Sequence, residues 1–229
     1  MTVADIVTGS TDSHLVDFNR ESIDANVQWV HKQAVKPLFE LQHAAQDAGF
    51  ELRLCSSFRS FERQLLIWNG KVSGMRPVMD PFGNPMDLRE LSPWLKIQAI
   101  LRWSALPGAS RHHWGTDFDI YDAKVMPEGY QIKLIPEEVQ GSGLFAPMHD
   151  WLDEYISSGK TQFYRPYEVD TGGIAPERWH ISYRPLADQY YGLLSSQLIA
   201  NRLRKSELLL LDVVLDNLDE IMQRYVLIE

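Results

Sequence analysis

The spacing of apolar residues predicts that helices make up much of this chain. In several stretches apolar side chains recur every three or four positions, as they do on the buried face of an amphipathic helix. Ser60 and Ser92 are well placed to cap two of these helices, and Pro93 suits a first helical position. Pro37 is expected to kink the longest helix, since proline lacks an amide donor. The predicted helices cover residues 22–48, 60–68, 92–103 and 144–158, and a tail from residue 186 in two pieces divided near residues 204–206.

Three other stretches alternate apolar and polar residues, which is the pattern of half-buried strands. In one of them Phe118 and Ile120 face one side while Asp117 and Asp119 face the other, and in another His180 lies on the polar face. We therefore predict an α+β fold, in which a small antiparallel sheet carries the functional site on one face and packs against helices with the other. The predicted strands cover residues 50–55, 115–121 and 178–184.

The length of 229 residues favours one domain with its own core. The segment 186–229 is predicted to be a helical extension packed on that domain, with a dimer interface as the less favoured use of its apolar stripe. That stripe consists of Leu211, Val214, Leu218, Ile221 and Tyr225. Residues 70–91 are rich in turn-forming residues and too long for a simple connection, so we predict a rim or lid there.

Charge, hydropathy and cysteine content argue against several classes of protein. A net charge of −9 without a basic face argues against nucleic-acid binding. No apolar run approaches the roughly 18 residues of a membrane span. The only cysteine, Cys55, excludes an internal disulfide framework and is expected to be a buried strand thiol. The first residues do not resemble a signal peptide, so a cytoplasmic protein is expected, with its oligomeric state left open.

Two separated stretches contain the residues that a catalytic metal site needs. His112 is followed by Asp119 seven positions later, and Glu177 precedes His180 by three. Two imidazoles and one carboxylate can hold a zinc ion with a fourth position open for water, and a free glutamate can take a proton from that water. Either histidine alone would more often be structural. Together these residues predict a zinc hydrolase.

The two stretches resemble the VanY-type D-alanyl-D-alanine carboxypeptidases, whose relatives include D-Ala-D-Ala dipeptidases and L-alanyl-D-glutamate endopeptidases. The family patterns are Ser-x-His-x-x-Gly-x-Ala-x-Asp, Glu-x-Pro-Trp-His, and Ser-Gly-Tyr-Arg-Ser followed by glutamine. The resemblance covers residues 25–185 within a predicted catalytic domain of residues 1–185. The matching residues are Ser110, His112, Gly115 and Asp119; Glu177, Trp179 and His180; and Ser56, Arg59, Ser60 and Gln64.

This resemblance implies a role for each residue of the predicted site. Zinc would be held by His112, Asp119 and His180, and Glu177 would be the general base. Arg59, with Gln64 and Ser110, would bind the terminal carboxylate of the substrate. A guanidinium suits that task because it can grip a carboxylate with two hydrogen bonds. Without the motif, a surface salt bridge would be the preferred interpretation of Arg59.

The sequence departs from the family pattern at three positions. Asp117 replaces alanine and shares the face of Asp119, so it could support a ligand or compete as one. Arg178 replaces proline and Phe58 replaces tyrosine, which puts the shape of the substrate pocket in question. His113 is expected to be structural, with stabilisation of the tetrahedral intermediate as the alternative.

The resemblance implies hydrolysis of the C-terminal D-alanine from peptidoglycan stem peptides. An L,D-carboxypeptidase that acts on tetrapeptides in cell-wall recycling is favoured, closely followed by a D,D-carboxypeptidase. A D-Ala-D-Ala dipeptidase or an endopeptidase is the alternative within the family. The alternative of another class is an inactive, zinc-stabilised binding module, which the presence of both Glu177 and Arg59 disfavours.

Overall fold

The computed structural model describes residues 2–18, 27–80 and 84–228. The strands within these ranges are β1 (Leu15–Asp17), β2 (Trp29–His31), β3 (Leu52–Ser56), β4 (Asp117–Asp122), β5 (Phe163–Tyr164) and β6 (His180–Tyr183). The α-helices are α1 (Val3–Val7), α2 (Val35–Asp47), α3 (Phe61–Val72), α4 (Pro93–Leu101), α5 (Pro136–Val139), α6 (Ala146–Ser157), α7 (Arg184–Tyr191), α8 (Ser196–Leu203), α9 (Leu211–Asp216) and α10 (Leu218–Ile221).

The main sheet has the strand order β3-β4-β6-β5, and each neighbouring pair is antiparallel. Asp119 on β4 lies directly opposite His180 on β6, and Asp117 lies opposite Ser182. Since alternate side chains of a strand share a face, these four residues lie on one side of the sheet. The predicted separation of a polar from an apolar face is therefore confirmed.

The opposite face of the sheet packs against helices. Phe118, Ile120 and Ile181 are buried in one large hydrophobic core together with Leu38 of α2 and Trp68 of α3. Burial of each large apolar side chain contributes about 1.5–3 kcal/mol, so this shared core holds the sheet at a fixed position on the helices. The α+β prediction is confirmed.

The predicted helix over residues 22–48 is wrong in its first part. Residues 22–26 lie outside the described residues, Trp29–His31 form strand β2, and the helix begins at Val35. Strand β2 pairs with β1, which forms a separate two-stranded sheet. The predicted kink at Pro37 is also wrong. Pro37 is the third residue of α2, where an amide has no acceptor within the helix and its loss costs little.

The helices after the sheet pack on the same core. Val214, Leu218, Ile221 and Tyr225 of the predicted stripe are buried in the large hydrophobic cluster. The division into two pieces is wrong, because α7, α8, α9 and α10 follow one another with turns between them.

The indole of Trp68 donates a hydrogen bond to the carbonyl of Leu209 at 3.1 Å, which links α3 to this part of the chain. In the residues that the structure describes, no helix combines the length and apolar character that crossing a membrane requires.

Candidate active site

His112 lies in a short 3₁₀ turn, Arg111–Trp114, immediately before β4. It was expected where a strand begins or runs, and that detail is wrong. Gly115 ends the turn with φ +68°, and a Cβ there would lie 2.4 Å from the Leu15 side chain. Glycine is therefore required at this position by both conformation and space. The ring Nδ1 of His112 lies 2.8 Å from the carbonyl of Ser57. A carbonyl only accepts, so Nδ1 carries the proton and Nε2 keeps its lone pair for the site.

The three predicted metal ligands come together. His112 Nε2 lies 3.4 Å from one carboxylate oxygen of Asp119, and His180 Nδ1 lies 3.3 Å from the other. One ligand atom from each residue lies within 4.8 Å of the others, and all three side chains are buried. Asp119 and His180 meet because they are cross-strand partners, while His112 reaches them from the neighbouring turn.

The polar atoms of this cluster fit a cation. Asp119 Oδ1 and His180 Nδ1 are buried without a hydrogen-bond partner among the described residues. Buried polar atoms are nearly always paired, and such orphans call for an explanation, which a bound ion would provide. Burial raises the pKa of the Asp119 carboxyl, but its interactions with His112 and His180 outweigh burial and hold that pKa well below its usual range. The carboxylate therefore stays ionised, as a metal ligand must be.

Asp117 occupies a second layer behind the ligands. Its Oδ1 lies 3.0 Å from His180 Nε2, the ring nitrogen that faces away from the cluster, and it also accepts a 2.8 Å hydrogen bond from Arg111 Nε. Thr116 donates to the other oxygen at 2.8 Å. A carboxylate in this place fixes the orientation of a ligating histidine and increases its basicity. These contacts favour a supporting role for Asp117 over that of a competing ligand.

Glu177 lies in the loop that leads into β6, as the sequence predicted. Its Oε2 is 3.6 Å from His180 Nδ1, and its side chain is 17% exposed, in contrast to the buried ligands. The backbone amide of Glu177 donates to the carbonyl of Tyr167 at 2.9 Å, and the ring of Tyr167 packs edge-on against His180 at 5.0 Å. The carboxylate is thus next to the cluster and open to the pocket, where a water molecule could be deprotonated.

Arg59 does not form the surface salt bridge that was its alternative interpretation. Its guanidinium donates to Gln64 Oε1 at 3.0 Å and to Ser56 Oγ at 3.4 Å, and it lines the same pocket as the histidines. Gln64 is fully buried and donates in turn to the carbonyl of Ala105 at 2.7 Å, so it positions the guanidinium. Ser110 is buried in the wall of the pocket. The predicted substrate-binding residues are therefore brought to one place.

The pocket has a volume of about 520 Å³. We call His112, Asp119, His180 and Glu177 its metal end, and Arg59 with Lys71 its cationic end. Residues 133–137 form part of the wall, held by the buried carboxylate of Glu138, which accepts hydrogen bonds from the backbone amides of residues 133 and 134. Met79 and Asp80 also line the pocket, which supports the predicted rim; residues 81–83 of that segment lie outside the described residues.

Arg178, a departure from the family pattern, and His113, the neighbour of His112, both have clear structural roles. Arg178 donates to the carboxylates of Asp150 and Asp153 of α6 and to the carbonyl of Val139, so it fastens the loop around Glu177 to its neighbours. His113 is fully buried. Its Nδ1 lies 2.6 Å from the carbonyl of Arg59, and its Nε2 accepts from the amide of Gly108. His113 is therefore structural, as expected.

The residues of the site fall within a match to one known protein family. The family model of VanY, described as D-alanyl-D-alanine carboxypeptidase, matches residues 27–186. The chain belongs to the VanY family. The predicted resemblance is confirmed, and the matched range includes every residue that was expected to form the active site of a VanY-family protein.

Several individual proteins are similar to this VanY-family chain. One uncharacterized protein of Haemophilus influenzae is 46% identical over 102 residues, which is 44% of this chain and 68% of the relative. A second uncharacterized protein of the same organism is 30% identical over 123 residues, covering 53% of this chain and 92% of the relative. Among solved structures, VanYB in complex with D-Ala-D-Ala is 22% identical with a TM-score of 0.49, covering 80% of this chain and 87% of that chain.

Sequence reasoning missed four residues of the site. Arg111 is adjacent to a predicted ligand, but nothing in the pattern shows that it forms a buried ion pair with Asp117. Tyr167 and Ser104 carry no motif. Lys71 lay at the start of the predicted rim, although α3 extends through it. Tyr167, Ser104 and Lys71 join the site through contacts between segments far apart in sequence, which local patterns do not reveal.

Proposed function

We propose that this VanY-family protein is a zinc-dependent carboxypeptidase that removes the C-terminal D-alanine from peptidoglycan stem peptides. The observation that supports this most is the arrangement of the pocket. A buried cluster of two imidazoles and a carboxylate has a free glutamate 3.6 Å from one of its ligands. An arginine whose hydrogen-bond partners are neutral lines the same pocket. The first feature suits hydrolysis, and the second suits a substrate with a free carboxylate.

His112 Nε2, Asp119 and His180 Nδ1 would hold the zinc ion. Three protein ligands with a fourth position open are typical of catalytic zinc sites. When bound, the ion would lower the pKa of a water molecule and polarise the scissile carbonyl. Asp117 would keep the His180 ring in place by accepting from its Nε2, and Ser57 would do the same for His112.

Glu177 would move the proton. Its carboxylate lies beside the cluster and within the pocket, so it can accept a proton from the attacking water. The same oxygen can then return that proton to the amine of the leaving D-alanine. A side chain that is partly exposed suits this exchange, because it can reorient between the water and the leaving group.

Arg59 would select the scissile bond. A bidentate pair with the terminal carboxylate fixes the last residue of the peptide in the pocket. Gln64 restricts the guanidinium through the 3.0 Å hydrogen bond, and Ser110 lies in the adjacent wall. The bond that reaches the metal end is then the one that precedes the terminal residue.

The test is release of D-alanine from a muropeptide tetrapeptide and from a pentapeptide, each with and without a chelator. We expect release that the chelator abolishes and that zinc restores. Release from the tetrapeptide would identify an L,D-carboxypeptidase, and release from the pentapeptide alone a D,D-carboxypeptidase. A zinc-loaded protein that releases D-alanine from neither would contradict the proposal, and binding of the intact peptide would then favour the binding module.

A further inference from the structure

Lys71 lies in the last turn of α3, with its side chain in the pocket that also contains Arg59. Its ammonium donates a 2.6 Å hydrogen bond to the hydroxyl of Ser104. Gln64 lies seven residues earlier, about two helical turns, and so on the same face of α3. Gln64 binds the carbonyl of Ala105, the residue after Ser104, and the guanidinium of Arg59. The two cations are therefore anchored at adjacent residues of one segment.

Both cations have neutral partners. Arg59 donates to the amide oxygen of Gln64 and to the hydroxyl of Ser56, and Lys71 donates to the hydroxyl of Ser104. Removing a cation even partly from water without an anion beside it is costly, so a ligand that supplies negative charge would bind favourably between these two groups. Burial, followed by the positive charge of Arg59, lowers the pKa of Lys71 to about 8. Among the described residues, neither cation is hydrogen-bonded to a carboxylate.

We propose that Lys71 binds the terminal carboxylate of the substrate together with Arg59, with Ser104 orienting the ammonium. This inference rests on the proposed function, because it takes the substrate to be a peptide with a free C-terminus. One carboxylate has two oxygens and can accept from a guanidinium and an ammonium at the same time. Ser104 holds the ammonium, and Gln64, which binds the adjacent Ala105, holds the guanidinium, so both charged groups line one pocket from neighbouring anchor points. Lys71 is a specificity-determining residue, and it favours exopeptidase over endopeptidase cleavage.

The experiment measures binding, so that it does not depend on turnover. Calorimetry is performed on the zinc-loaded Glu177→Gln protein with a stem tetrapeptide that ends in D-alanine and with the same peptide as its C-terminal amide. The variants added to this background are Lys71→Met, which removes the charge at similar length, and Lys71→Arg, which keeps it. Lys36→Met is the matched control, since Lys36 lies on the surface with its side chain 86% exposed.

For Lys71→Met we expect the Kd of the acid peptide to rise about tenfold or more, the effect of losing a hydrogen bond to a charged group. The Kd of the amide should stay the same, Lys71→Arg should retain most of the affinity, and Lys36→Met should have no effect. Zinc content and thermal unfolding of Lys71→Met show whether the pocket remains folded.

An equal loss of affinity for acid and amide would overturn the proposal, since it would point to a structural role or to a different carboxylate of the peptide. So would an unchanged Kd for the acid peptide, or a parent protein that binds acid and amide equally. Failure of the proposed function is a separate result, namely that the wild-type protein binds the acid peptide but releases no D-alanine.

Discussion

The charged groups at the two ends of the pocket have different surroundings. At the metal end the buried carboxylate of Asp119 lies between the rings of His112 and His180, and Asp119 Oδ1 and His180 Nδ1 have no hydrogen-bond partner among the described residues. At the cationic end the hydrogen-bond partners that Arg59 and Lys71 have within the described part of the chain are all neutral. Buried ligand atoms without partners suit a resident cation, while cations with neutral hydrogen-bond partners suit an anion that binds and leaves. The difference fits the proposed function, in which the metal end holds zinc and the cationic end binds the substrate.

The largest expected effect is at the metal end. His180→Ala removes one ligand and leaves Asp117 and Asp119 without their shared partner. We expect loss of bound zinc and a fall in kcat/KM of about a thousandfold or more, as for removal of a central catalytic group. Metal analysis and D-alanine release measure the two effects. His43→Ala is the control, because His43 is exposed on α2. A His180→Ala protein that kept stoichiometric zinc would show that His180 is not a required ligand, and it would contradict the assignment of the metal end.

Glu177→Gln separates chemistry from metal binding. The amide keeps the size of the side chain but cannot accept the proton, so kcat should fall by about 10²–10⁴-fold. Zinc content should stay at the wild-type level, since Glu177 lies 3.6 Å from a ligand and is not needed to complete the set of three. The measurement is kcat for peptide hydrolysis beside metal stoichiometry. Near-normal turnover would show that another group is the base.

Asp117→Asn tests whether Asp117 supports metal binding through its contact with His180. The amide keeps the shape but weakens both the bond to His180 and the ion pair with Arg111. We expect zinc affinity to fall about 10–100-fold, which competition with a chelator measures. Stability should fall as well, because the buried Arg111 loses its charged partner. Asp47→Asn, at an exposed position, is the control. Unchanged zinc affinity would limit Asp117 to a role in folding.

The smallest effect is a pH dependence at the cationic end. Burial and the charge of Arg59 lower the pKa of Lys71 to about 8, and Arg76 acts in the same direction while Glu177 opposes them. The charged form predominates below that pH and is lost above it. The ratio of kcat/KM between wild type and Lys71→Met should therefore be largest below pH 8 and fall toward one as the pH rises past it. With Lys36→Met the ratio should stay near one throughout. A ratio for Lys71→Met that does not change with pH would contradict the contribution of the ammonium.

Local sequence patterns were sufficient where the structure depends on neighbours along the chain. The alternation around Asp119 and His180 predicted the strands, and Ser60 as a cap predicted the start of α3, which extends past the predicted end at Trp68 to Val72. The same patterns predicted the wrong secondary structure where pairing with a segment distant in sequence determines it. Val30 fits a helical stripe, but the backbone of residues 29–31 pairs with residues 15–17, and the amide of His31 donates to the carbonyl of Gly115. The same strand therefore supports the turn that carries His112.

In the candidate site too, residues close in sequence could be predicted and contacts between distant segments could not. The motifs pointed to the three proposed ligands and to Glu177 because each set of residues lies within ten positions in sequence. Asp117 stood in the motif, but its partner Arg111 could be recognised only from the fold. Lys71 depends on Ser104, which lies 33 residues away. No periodicity connects two such positions, so the cationic end was only half predicted.

The attachment of α3 has a practical consequence for anyone who shortens this protein. The family match ends at residue 186, which makes that position a natural place to cut. Yet Trp68 donates to the carbonyl of Leu209, and Asn69 exchanges hydrogen bonds with the backbone of Glu207 and Leu209. These contacts hold the end of α3 from which Lys71 extends. A version trimmed at residue 186 would keep every proposed metal ligand, but it would lose core residues such as Val214 and Ile221 together with the contacts that hold the Lys71 end of α3.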